Sequence, residues 1–149
     1  MTDEQQRLLA RQLQQMHKAA EGLSWSLTRC QALDYAQLDK EGEEKFETLT
    51  ARFARMSDIL IQKVFRLIDQ LDLESQGTVR DRINRAEKKG LILSARDFVI
   101  IRELRNAIAH EYEESALADI HKEVLRLTPM LLNVPKAVQH YIDQQPLQP

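Results

Sequence analysis

Along most of the chain apolar residues recur at alternating spacings of four and three, the period of a helix with one buried face. Leu9, Leu13, Met16, Ala20, Leu23, Leu27 and Cys30 form the first such stripe, and Gly22 inside it weakens the helix locally. Residues 31–45 lose the period and collect Asp, Lys, Glu and Gly42, which predicts a loop. Phe46, Leu49, Phe53, Met56, Leu60, Val64, Leu67 and Leu71 form a second stripe, a long helix expected to pack antiparallel to the first. Gly77-Thr78 predicts a break and a cap, because a threonine hydroxyl accepts from an otherwise unpaired first-turn N–H. A short basic helix should follow from about Val79 to Lys89, ended by Gly90. Ser94 is the next cap, with Asp97 three residues on to suit the positive helix end. The last stripe is Leu117, Ile120, Val124, Leu127, Leu131, Val134, Val138 and Tyr141, and it keeps phase through Pro129 and Pro135. Proline costs about 3 kcal/mol in a helix interior, so a kink or break is expected near Thr128. Together the stripes predict an all-α fold, an antiparallel helical bundle of four to five helices. It should form one domain over 1–143, with a frayed tail over 144–149.

Composition supports the helical reading: the 149 residues include only 4 Gly and 4 Pro, and good helix formers dominate. The net charge of −2 conceals an asymmetry. Residues 80–105 hold 8 basic and 4 acidic side chains, a local excess of +4 between two acidic stretches. Such a block can attract phosphate, although mixed charges on helices most often only solvate a face. One cysteine, Cys30, permits no internal disulfide and suits a reducing compartment. With no leader-like segment and no apolar run near the roughly 20 residues that span a bilayer, the expected setting is cytoplasmic.

The segment Arg105-Asn106-Ala107-Ile108-Ala109-His110-Glu111-Tyr112 concentrates chemistry within two helical turns. At about 100° per residue, Ile100, Leu104 and Ile108 form the apolar stripe, flanked by Ile101 and Ala107. Glu103, Asn106 and His110 fall on the opposite side at offsets of three and four, and so neighbour one another. Arg105 and Tyr112, seven apart, line up along the edge of the stripe, and Arg102 lies between the two polar strips. Each residue also has a plain structural reading. A lone helical histidine is usually a surface residue, and an edge tyrosine is usually half packed. Arg and Glu on one helix can simply pair, for about 0.3–0.5 kcal/mol.

The spacing Arg105, four residues, His110, one residue, Tyr112 resembles the Arg-x4-His-x-Tyr motif of HEPN-domain proteins, in particular the HepT toxin branch. Asn106 is similar too, at a position usually polar in that family. The resemblance extends through Arg85-Ala86-Glu87-Lys88-Lys89-Gly90-Leu91-Ile92 and Ser94-Ala95 to Leu104-Arg105-Asn106 and Ala109-His110-Glu111-Tyr112. Two long helices come first and the motif comes late, as in that family. The likeness thus runs along most of the chain, but only 85–112 is specific. It implies a homodimer that brings two motifs into one cleft, and metal-independent endoribonuclease activity without a cofactor. It also implies a nucleotidyltransferase antitoxin of the MntA type, which would silence the toxin by transferring AMP onto Tyr112.

The residue types suit that chemistry. RNA can be cut without metal when its 2′-hydroxyl attacks the adjacent phosphate. The step needs a proton acceptor, a donor for the leaving 5′-oxygen, and cations around the charged phosphorane. An imidazole at His110 can serve as base or acid, and Arg105 offers a planar fork to phosphate oxygens. Asn106 can orient His110 or donate to phosphate, with Glu103 and Arg102 in support. One chain supplies one imidazole here, so acid and base together call for both chains of a dimer. Arg82, Arg85, Lys88 and Lys89 are the candidates for holding RNA outside the cleft. His17, His110, His121 and His140 are scattered and make no metal-ligand spacing, and no glycine-rich phosphate loop exists. Cys30, at the end of the first apolar stripe, is a poor candidate for a thiol nucleophile. Two other readings stand beside the nuclease: a non-catalytic subunit that binds a nucleotide or docks on a nucleotidyltransferase, and a plain helical scaffold.

Overall fold

The computed structural model describes residues 1–110 and 113–145, and every regular element among them is a helix. Helix α1 (Asp3–Gln31) starts at a capping box: Gln5 N–H donates to Thr2 Oγ1 at 3.1 Å, and Thr2 N–H to Gln5 Oε1 at 2.9 Å. Its predicted stripe is the inward face, with Leu9, Met16, Leu23, Leu27 and Cys30 buried. Gly22 does not break the helix. A Cβ there would sit 3.6 Å from the Arg52 side chain, whose guanidinium donates to the Gly22 carbonyl at 2.9 Å and to Ser26 Oγ at 2.8 Å. A separation of 3.6 Å is ordinary contact distance, so the arginine lies against the helix backbone with room for a methyl group at this position.

The expected loop is shorter than residues 31–45. Asp39 Oδ1 accepts from Gly42 N–H at 2.8 Å and starts α2 (Lys40–Asp58) early. A π-helical segment, Ile59–Val64, joins α2 to α3 (Phe65–Leu71) without a break in the rod. The wider turn shifts the phase of the apolar pattern. Adjacent residues therefore face inward in pairs: Leu60 with Ile61, Val64 with Phe65, Leu67 with Ile68, all buried. Arg52 meets Gly22 and Ser26, while Ile68 and Leu71 share a groove with Leu9 and Leu13. The second rod therefore runs against the first in the opposite sense, as the stripes predict.

The next caps match the sequence. Thr78 and Asp81 form a capping box at the start of α4 (Val79–Lys88), with Gly77 at φ +59° before it and Gly90 at φ +78° after it. Ser94 Oγ accepts from Asp97 N–H at 3.1 Å at the head of α5 (Ala95–Ala109). Glu87 Oε2, from α4, adds a 2.6 Å bond from Ala95 N–H, placing a carboxylate at that helix end. A 3-10 turn, Glu114–Ala116, precedes α6 (Leu117–Leu132), and α7 (Val134–Gln144) closes the described chain.

The expected break near Thr128 does not occur. Pro129 lies inside α6, and the chain turns at Asn133, leaving Pro135 in the first turn of α7, where no amide N–H is needed. Val124, Leu127 and Leu131, all at 0% exposure, anchor this helix in the core, while Pro129 itself faces outward. Burying each is worth about 1.5–3 kcal/mol, enough together to outweigh the lost bond. One core cluster runs from Met16 to Val138, consistent with a single domain. The tail beyond Gln145 lies outside the described residues. No described helix is long and apolar enough to cross a membrane.

His121 of α6 is a polar guest in this core. It is 3% exposed, its ring stacks on Phe46 at 4.5 Å between centroids, and Nδ1 has no hydrogen-bond partner. Burial pulls its pKa below the ordinary 6.5, with Glu47 opposing more weakly. The unfolded chain therefore binds this proton more readily than the fold. Stability is full above about pH 6.5 and falls as pH drops through the lower folded value, by at most about 1.4 kcal/mol per pH unit. Urea melts of wild type and His121→Phe between pH 7 and pH 5 should show a flatter acid limb in the variant. Parallel limbs would show that another group sets the dependence.

Candidate catalytic cleft on helix α5

The buried face of α5 is Ala95, Phe98 and Ile101, rotated from the predicted stripe. Ile100, Leu104 and Ile108 are half-buried and pack against the core beside that face, and Ala107 is exposed. Arg105 follows Ile101 by four residues, about 40° around the axis, so it projects to the inward side. There it meets the last residue of α2. Arg105 Nε lies 2.7 Å from Asp58 Oδ1 and Nη2 lies 2.9 Å from Asp58 Oδ2, a two-pronged ion pair between elements 47 residues apart. The carboxylate bond raises the guanidinium's pKa further above its ordinary value.

This pair lies in a surface cleft of about 380 Å³, lined also by Gln62, Lys63, Arg102 and Asn106. The π-helical segment supplies Gln62 and Lys63 just past Asp58. Arg82 of α4 braces that segment, donating to the Ile61 carbonyl at 3.1 Å and reaching Gln62 Oε1 at 3.4 Å. Burial lowers the Arg82 pKa, and the nearby charges of Arg66, Arg85 and Arg102 add to the effect. Arg82 therefore sits among three further guanidinium groups, of which Arg66 and Arg102 are exposed.

The other predicted residues fall less tidily. Arg102 and Glu103 are exposed, Asn106 is half-buried, and no ion pair joins Glu103 to Arg102 among the described residues. Helix α5 ends at Ala109. His110 is its cap, with extended backbone (φ −94°, ψ 154°) and its N–H on the Asn106 and Ala107 carbonyls at 3.2 and 3.3 Å. The one-turn spacing from Asn106 thus survives. The His110 ring is exposed and does not line the cleft of its own chain. No side-chain hydrogen bond joins Asn106 to His110 among the described residues. The predicted strip from Arg105 to Tyr112 requires helix through residue 112, which α5 does not provide. Tyr112 itself lies outside the described residues.

The basic block needs a correction. Arg85 Nε lies 2.9 Å from Asp69 Oδ2, and Lys89 Nζ lies 2.8 Å from both Asp69 Oδ1 and Asp72 Oδ2. With side-chain exposures of 17% and 12%, these two cations hold α4 to α3 and are not free for phosphate. Arg82 is half taken up in bracing the π segment. Lys88 remains exposed. Local sequence could not reveal this, since the carboxylates lie 16–20 residues away.

Asp58 lies outside the residues that the sequence singles out, although its signal is present. It is the lone charge between Met56-Ser57 and the unbroken apolar run Ile59-Leu60-Ile61, a run too dense for a regular one-faced helix. Cys30 is buried, which raises its pKa above the ordinary 9.0 and removes it as a nucleophile. Among the described residues no three His, Cys, Asp or Glu side chains come together as a metal-ligand group. Against this geometry, no family model and no curated protein matches the chain.

Proposed function

We propose that the α5 cleft binds a phosphodiester and that the protein is a metal-independent endoribonuclease of the HEPN type, acting as a toxin. The observation that carries the reading is the Asp58–Arg105 pair. Its carboxylate holds Nε and Nη2 of a permanently charged fork and leaves Nη1 without a hydrogen-bond partner among the described residues, in a cleft lined also by Arg102, Lys63 and Asn106. Arg105 would hold a non-bridging oxygen as charge builds on phosphorus, and Asn106 would donate a further bond. His110 would move the proton. Because its ring stands outside the cleft of its own chain, the reading requires a homodimer in which two His110 rings converge, one as base and one as acid. An MntA-like nucleotidyltransferase would act as antitoxin by adding AMP to Tyr112, placing an anion where RNA phosphate must sit.

The same exposed position of His110 favours the alternative of a nucleotide- or partner-binding subunit without catalysis. Total RNA incubated with purified protein in excess chelator separates the two. Wild type should fragment the RNA and Arg105→Ala should not. Intact RNA with wild type, alongside binding to the transferase, would select the alternative.

Asp58→Ala gives a finer check. Both partners are about a third or more exposed, so its loss should cost only about 0.5–1 kcal/mol of stability. An unheld Arg105 loses its orientation, and the cleavage rate should fall about 10- to 100-fold. A large stability loss with unchanged turnover of the folded fraction would reverse that assignment.

A further inference from the structure

The surface between α1 and α2 carries a second feature that the α5 reading leaves unused. Trp25, the sole tryptophan of the chain, is 65% exposed. Exposing so large a ring to water has a free-energy cost that a core position would avoid. The Arg29 guanidinium, one turn on, lies 5.8 Å from its ring centroid and stiffens it by a cation–π contact. Beside the ring opens a groove of about 230 Å³, in which Arg29, Lys45 and Arg52 face Glu41 and Glu44. Arg52 is fixed in the groove by its bonds to the Gly22 carbonyl and Ser26 Oγ. The remaining lining is hydroxyl, from Ser26 and Thr48.

We infer that this groove takes one nucleobase with its phosphate from a single-stranded nucleic acid. The base stacks on Trp25, the phosphate lies against Lys45 and Arg29, and the carboxylates and hydroxyls meet the edge of the base. One aromatic plate in an otherwise polar, cation-bearing groove is the pattern of single-strand binding. A protein partner is disfavoured because a buried tryptophan anchor needs a surround that excludes water, and Trp25 is the only apolar side chain lining this groove. The volume suits a single ring system and lies below the usual 300–1,000 Å³ of small-molecule pockets. The assignment stands independently of cleavage at α5.

The lone tryptophan makes the test direct. Short single-stranded deoxyadenylate lacks the 2′-hydroxyl and stays intact, so it can be titrated against Trp25 fluorescence in the full chain. Saturable quenching that weakens with salt is expected, with Lys45→Ala reducing both the affinity and the salt slope. By anisotropy of a labelled strand, Trp25→Ala should bind about tenfold more weakly or worse, within the range for losing one stacked base. Circular dichroism should be unchanged, since the ring is mostly outside the core. Arg105→Ala should quench like wild type, which separates this site from the α5 cleft. Absent quenching, a Trp25→Ala affinity within twofold of wild type, or AMP binding as tightly as the strand, each overturns the inference.

Discussion

His110→Ala should abolish most RNA cleavage while leaving the fold intact. A positioned acid or base contributes about 100- to 10,000-fold, and the loss should fall in that range. The residue caps α5 through its backbone N–H, which alanine keeps, and its ring is exposed. Thermal melting should therefore stay within about 0.5 kcal/mol of wild type, the usual bound for such surface changes. Cells expressing the variant should grow where cells expressing wild type arrest. A variant as active and as toxic as wild type would remove His110 from the mechanism, whatever the status of Arg105.

Asp69→Ala should cause the largest loss of stability of any single change considered. Asp69 is 7% exposed and accepts from Arg85 and Lys89 at once. Lys89 also holds Asp72, which accepts a 2.5 Å bond from the Tyr141 hydroxyl, so one network ties α3, α4 and α7. Burial, then that bond, push the Tyr141 pKa well up and keep its hydroxyl a donor. Removing the shared carboxylate leaves two cations with little water and one partner fewer. Deleting one member of such a buried set costs about 3–5 kcal/mol. Urea denaturation should record the drop as a lower midpoint at unchanged slope. A loss below about 1 kcal/mol would mean water already compensates these charges.

What the sequence disclosed, it disclosed through local rules. Helix spacing marked the buried faces of α1, α2 and α6, and the caps at Thr78 and Ser94 fell where side-chain acceptors precede unpaired N–H groups. The misjudged features depend on distant partners. Pro129 reads as a breaker until Leu127 and Leu131 are seen buried on either side of it in the chain. Arg85 and Lys89 read as solvent-facing cations until Asp69 arrives from α3. On α5 Ile100, Leu104 and Ile108 are as apolar as Ile101 and pack half-buried against the core, so only packing decides which of them is fully covered. Consequently Arg105, assigned to an edge, points at Asp58. At the candidate site the chemistry of Arg105 and Asn106 was legible, but the carboxylate that orients the arginine was not.

Two chains together should complete one cutting site, each contributing His110. Subunit mixing tests it most directly: His110→Ala chains exchanged into wild type at equal amounts, with cleavage measured against the fraction of wild-type chain. If both imidazoles are needed, only wild-type pairs cut, and activity falls as the square of that fraction, to about a quarter at equal mixing. A linear fall to about a half would show that each chain acts by itself and would contradict the account.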